Sequence, residues 1–513
     1  MGDQTEYPCF FHISKRRVAG AILFTLMAAG AAQARTLCVS TADELHTGST
    51  AGNGPYTSTA ALQVKLSGSR NAGCSFGDAT SAMLDGGGAS GTAALDVSGA
   101  GIWLQQAKRF ANTPQADAGF GFAVAIDGDW MAVGAPFEAA PVPASLAAPT
   151  VALNVGRVYL YQRTTSGWQW HTTLTGNEAG GKFGSAVALR GDDLIVGQPY
   201  ASLERGGTTH YRLELGAWTS NGTAICCATG SHYGASVALF GDADNTFSAA
   251  AAPDYGAGHV GVQRKNSSGG WDIETLQAPA GLVNGDTFGW SVAGDGGELI
   301  VGAPHKTVAG QGNAGTAYVF FRNPLGDWQL SKQLNYPNPV VGDYSGYAVA
   351  ISGIWAAIGA PGRTLNNAAN DTGAVQTFVY ISPSGWNVWQ ELTGLTADTN
   401  DEFGSALALQ GERLLVGARS DDSHGGVPDE GSAYFFHLVD GFPVPLWNET
   451  GKFTNALPDE NDFFGWSVAL SGSGGDAVIG APLDDTDVAP TAVLAGSVTL
   501  FRDDVIFVDG LEG

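Results

Sequence analysis

The sequence is short of charge, of cations, of cysteine and of long apolar runs. Charged residues make up 14% of the 513, and 24 Lys and Arg face 49 Asp and Glu, a formal charge of −25. So acidic a chain repels phosphate backbones, which argues against a nucleic-acid partner. Few Lys and Glu among many glycines also disfavour long helices. Beyond residue 34 no apolar run approaches the roughly 20 residues of a membrane-spanning helix, so no integral membrane segment is expected in the mature chain. The five cysteines lack zinc-finger spacing. Catalytic spacing is missing among the histidines: the nine form neither H-x-H nor H-E-x-x-H. An enzyme is therefore not expected. A hydrolase is kept as the last reading, because a site assembled from distant loops on one face leaves no local signature.

What the sequence has in quantity is glycine, 74 residues. Without collagen periodicity, glycine reads as turn chemistry between many short strands. The N-terminus reads as a signal peptide over residues 1–34. Lys15-Arg16-Arg17 precede an apolar stretch from Val18 to Ala29, and Ala32-Gln33-Ala34 supplies a small-residue cleavage site. The mature chain is then expected to start near Arg35 and to be secreted or held at the cell surface. In that oxidising setting Cys38–Cys74 is an expected disulfide, and the adjacent Cys226 and Cys227 form either a vicinal disulfide or two thiols.

One pattern recurs seven times. Phe120-Gly121-Phe122-Ala123-Val124-Ala125 is followed by Val133-Gly134-Ala135-Pro136. The same pair of motifs returns at Phe183-Gly184 with Val196-Gly197, at Phe288-Gly289 with Val301-Gly302, and at Phe464-Gly465 with Ile479-Gly480. Three copies are altered. Tyr233-Gly234 is followed by Ala251-Ala252-Pro253, Ser345-Gly346 has lost the aromatic, and Phe403-Gly404 leads to Gly417-Ala418-Arg419. The leading glycines lie 63, 50, 55, 57, 58 and 61 residues apart. A Trp precedes each of them at Trp103, Trp168, Trp218, Trp271, Trp328, Trp386 and Trp447, and strands such as Gly156-Arg157-Val158-Tyr159 follow.

Each unit thus predicts four short strands, which is a propeller blade. The expected fold is all-β, a seven-bladed β-propeller over residues 101–502. After its last motif the chain supplies one more strand, Gly496 to Phe501, and no final Trp strand. The unpartnered strand at Trp103 is expected to complete the last blade and hide two sheet edges. The glycines, aromatics and prolines of the motifs read as architecture: close approach, packing between blades and strand termination.

These copies resemble the FG-GAP repeats of integrin α-subunit propellers, particularly their shorter bacterial form. The resemblance implies a binding or adhesion module. It also implies calcium loops between the first two strands of a blade, but the corresponding turns here, such as Asp127-Gly128-Asp129 and Gly191-Asp192-Asp193, hold too few ligands. The nearest match, Asp242-Ala243-Asp244-Asn245, lacks the glycine and the closing carboxylate. Acidic loops occur elsewhere. Asp398, Asn400 and Asp401 precede the sixth motif and Asp459, Asn461 and Asp462 the seventh, as candidate calcium ligands or as solvated turn residues. Arg190-Gly191-Asp192 coincides with a hairpin turn and reads as one.

Residues 35–100 lie outside the repeat and read as a Gly/Ser/Thr-rich segment or small stapled cap, and 503–513 as a tail. The functional expectation is an exported module that binds extracellular protein or glycan. The alternative is a structural or accessory protein at the cell surface.

Overall fold

The computed structural model describes residues 102–141, 151–364, 372–396, 398–422, 427–439, 444–456, 458–472, 475–485 and 494–504, and five strands before residue 102. The chain divides into two compact units, 107–500 and the two flanks together. In the flanking unit, Phe11–Val18, Ala21–Ala28 and Arg35–Cys38 form a three-stranded sheet, and Leu62–Leu66 pairs with Gly91–Leu95. The expected partner Cys74 lies outside the described residues.

The unit 107–500 holds a seven-bladed β-propeller with almost no helix. The first blade is built from Ala123–Asp127, Trp130–Ala135, Arg157–Thr164 and Gly167–Thr175. Blades two to six span 186–225, 236–274, 292–334, 348–392 and 403–454, each a four-stranded sheet in chain order. The seventh contains Ser467–Leu470, Asp476–Ala481 and the strand that begins at Ser497. The described pairings within the blades are antiparallel, as hairpin connections require. In blades one, two, four, five and six the register slips in the pairing of the third and fourth strands, for example at Leu160/Tyr161 and Phe435/Phe436. Such bulges add twist to the outer edge of a blade.

Apolar residues alternate into the faces between blades, so the core is a series of clusters that each join two neighbours. One holds Leu160, Phe183 and Trp218 of blades one and two. Another holds Phe120, Val133 and Tyr159 of blade one with Val478, Val498 and Leu500 of blade seven. The ring is closed by that cluster.

The recurring motifs make the joints. A Cβ on Gly134 would fall on the carbonyl of Gly184 in the next blade, and one on Gly480 would fall on the carbonyl of Gly121. Beside these contacts, the amide of each leading residue donates to the previous blade: Phe183 to Val155 O at 3.0 Å, Phe464 to Glu430 O at 2.9 Å, and Phe120 to Ala495 O at 3.0 Å. The seam between blades seven and one is therefore built like the joints between consecutive blades. Trp168, Trp218, Trp328, Trp386 and Trp447 are buried, as blade packing requires.

Candidate functional site

Because each leading glycine sits opposite the second motif of its own blade, both motifs lie at one end of every sheet. The short hairpins, Asp127-Gly128-Asp129-Trp130 among them, lie at the other. The motif face is where the longer connections gather, and loops positioned by a rigid ring are the usual carriers of binding residues.

The residue after each leading glycine lies at the motif end of the innermost strand, and those of blades one, two, three, four and seven stand at the mouth of a central channel. In order these are Phe122, Ser185, Ala235, Trp290, Tyr347, Ser405 and Trp466. A cavity of about 240 Å³ opens there, lined by Phe122, Ser185, Ala235, Trp290, Trp466 and Ser467 among others. The aromatics are half-buried and form a continuous arc. Phe122 and Trp466 have ring centroids 5.3 Å apart, and Trp290 and Tyr347 5.4 Å. Arg419 bridges the two pairs from blade six, with its guanidinium 4.8 Å from the Trp466 ring and 5.5 Å from Tyr347. It donates to Glu402 at 2.5 Å and to the Tyr347 hydroxyl at 3.2 Å. Glu402 and Tyr347 thereby fix a cation over two aromatic faces.

The arc continues outward. His305 packs against Trp290 and Tyr344 and bonds Thr287 Oγ1 at 2.8 Å. Burial holds its imidazole below the ordinary range, against the pull of Asp254. On the opposite rim Lys182 sits 3.7 Å from the Tyr200 ring and 5.4 Å from Phe137. Blades two and three, with Ser185 and Ala235, leave the mouth open on one side. Sequence reasoning missed this arc. Its signal was present: the position after the glycine is aromatic in four copies and small in three, and one copy replaces the motif proline with Arg419.

The acidic loops lie on the same face. Asp401 and Asp462 are buried, and each turns a carboxylate oxygen onto the amide three residues back, Asp398 at 2.5 Å and Asp459 at 2.8 Å. Asn400 and Asn461 take left-handed turn positions, both with φ 68°. The structure therefore brings Asp398 to Asp401 and Asp459 to Asp462 through main-chain bonds, with the asparagines at the bends. The second Asp401 oxygen is buried without a hydrogen-bond partner. A further carboxylate stands near each loop, Asp421 with Lys452 at 2.8 Å and Asp484 with Lys108 at 2.8 Å. Burial, and after it the neighbouring Asp421 or Asp484 charge, pushes Asp401 and Asp462 up to about 7. In blades four and five the position of Asp421 and Asp484 holds a cation instead, and Lys306 pairs with Asp286 and Arg363 with Asp343. Among the described residues, the group of three metal-type ligands gathered within 4.8 Å is Cys226, Cys227 and His259.

Two other sequence features have structural roles. Asp242 Oδ1 accepts from the amides of Asp244 and Asn245 and so caps its own turn. Arg190 and Asp193 close a hairpin in which the Gly191 amide donates to Asp127 of the first blade at 2.6 Å.

Fold and site together define a closed ring of repeats that presents different side chains on one face. FG-GAP repeats are found in four regions of the chain: residues 103–161, 278–320, 386–436 and 447–501 match the FG-GAP repeat family. No curated protein sequence matches the chain.

Proposed function

We propose that the protein is an exported binding module that engages an extracellular protein or glycan at the channel mouth. The observation that carries this reading is the arc Phe122–Trp466–Arg419–Tyr347–Trp290. Trp, Tyr and Arg are the residues that concentrate binding energy in protein interfaces, and here they are half-exposed around a recess. That chemistry favours a protein partner presenting one flat or apolar group, with a sugar ring as the competing occupant. No helix among the described residues is long and apolar enough to cross a membrane. Export itself rests on the leader-like segment, and the mature product should begin at Arg35 when its N-terminus is sequenced.

The test is binding of the mature chain to displayed extracellular proteins and to a glycan array. Trp466→Ala and Trp290→Ala should each weaken the interaction by about tenfold or more, the loss typical of a central anchor. Binding that survives both changes in a protein of unchanged melting temperature places the ligand elsewhere. Calcium at Asp398, Asn400 and Asp401 and at Asp459, Asn461 and Asp462 belongs to the same proposal, supported by the unpartnered Asp401 oxygen and the second carboxylate beside each loop.

The strand Ile102–Arg109 is proposed to complete blade seven. Support comes from the sheet order, which sets it beside Ser497–Asp504, and from Lys108. Trp103 is followed five residues on by Lys108 just as Trp447 is followed by Lys452, and both lysines reach the equivalent aspartate.

A further inference from the structure

Cys226 and Cys227 follow the last strand of blade two, Ala217–Ile225, on the way to the motif of blade three, and they are joined as a disulfide. His259 opens the third strand of blade three, His259–Lys265. The joint between the two blades thus brings one ligand atom from each residue within 4.8 Å of the others, all three half-buried. Tyr233, Val237 and Ala252 form the apolar floor under the cysteines, and Arg205 Nε holds the Cys227 carbonyl at 3.0 Å. Neither the channel mouth nor the acidic loops use this cluster.

We propose that Cys226, Cys227 and His259 form a redox-gated zinc site. In the disulfide the sulfurs are poor ligands, since the thiolate is the metal-binding form. An external dithiol opens the gate. Its thiolate attacks one cysteine sulfur, the S–S bond breaks, and a mixed disulfide forms. The second thiol of the reductant resolves it, so two electrons and two protons pass to the cysteines and the reductant leaves as its own disulfide. Zinc then displaces the two thiol protons to solvent and takes both sulfurs and one imidazole nitrogen. Tetrahedral bonds of about 2.3 Å to sulfur require the two Sγ atoms to separate, which rotation about the cysteine side chains permits once the covalent link is gone. Two thiolates neutralise the dication, and a Cys₂His set leaves a fourth position for water or a ligand atom. Sulfur and imidazole select zinc over calcium and magnesium, which prefer oxygen.

The experiment uses the full chain, reduced with a phosphine under argon, freed of reductant and titrated with zinc ions against a chromogenic chelator. Cobalt serves in parallel to read sulfur-to-metal charge transfer. The reduced protein should withdraw zinc that the oxidised protein leaves with the chelator. Cys226→Ser should abolish that uptake, and His259→Gln should weaken it by more than the roughly 10- to 100-fold expected for loss of an outer partner. Cys9, Cys38 and Cys74 remain in both variants, so these losses assign the site. Equal uptake in the two redox states overturns the proposal. So does uptake indifferent to His259→Gln, or a disulfide that yields no free thiols while the protein stays folded.

Discussion

At Gly134 a single added carbon would meet the Gly184 carbonyl of the next blade. Backbone cannot swing aside as a flexible side chain can, so Gly134→Ala must push two blades apart. The expected cost is on the order of 1–3 kcal/mol, read as a lower urea midpoint at unchanged slope. Blade three shows how the joint accommodates a methyl. There Ala251 replaces the glycine, and a Cβ on its opposite number Gly289 would lie 2.9 Å from the Ala251 side chain. Asp401 and Asp462 set a second residue-scale expectation. Burial raises each from the ordinary 3.8 to about 7, so between those values the folded protein holds protons that the unfolded chain has released. Stability contributed this way is complete in acid and lost as pH rises through about 7. Melting temperatures should therefore fall from pH 5 to pH 8, and Asp401→Asn should flatten the fall. A calcium ion would take the place of the proton. Calcium should accordingly raise the melting temperature more at pH 8 than at pH 6 in the parent protein, and an equal response at both would remove it from these loops.

Among the elements, the strand order was legible because each blade repeats it with short alternating strands, a glycine at each close approach and a tryptophan on the outer strand. Where a motif degenerated, as at Ser345 or Ala251, the neighbouring strands still marked the blade. The outer bulges were not legible, since a one-residue slip such as Leu160/Tyr161 leaves no compositional trace. Nor were the partners of the acidic loops, because Lys108 lies 376 residues from Asp484. Both lysines sit mostly buried against their aspartates, with 13% and 17% of their side chains exposed. Removing one charge of a buried pair strands the other, at a cost of about 3–5 kcal/mol. Lys108→Met and Lys452→Met should thus destabilise by similar amounts in denaturant unfolding. A much smaller effect of Lys108→Met would remove its strand from blade seven.

For the whole molecule, the ring places on one rim residues that are far apart in the chain. Phe122 and Trp466 touch across the seam, while Tyr347 and Arg419 meet from blades five and six. No window of sequence contains that arc, and it became visible only when equivalent positions of all seven copies stood side by side. The seam has a further consequence. An open stack of repeats has two ends, and its end units have one neighbour each, so they fray first. Here the bond from Phe120 to Ala495 and the Gly121–Gly480 contact give the first and last blades two neighbours like the rest. Calorimetry of the ring should show one heat-absorption peak with calorimetric and van't Hoff enthalpies in agreement. Gly480→Ala, which strikes the seam at the Gly121 carbonyl and at the Ser467 hydroxyl beside it, should split it. The protein is then less a chain of seven parts than a barrel hoop, in which loosening one stave relaxes the compression on all the others.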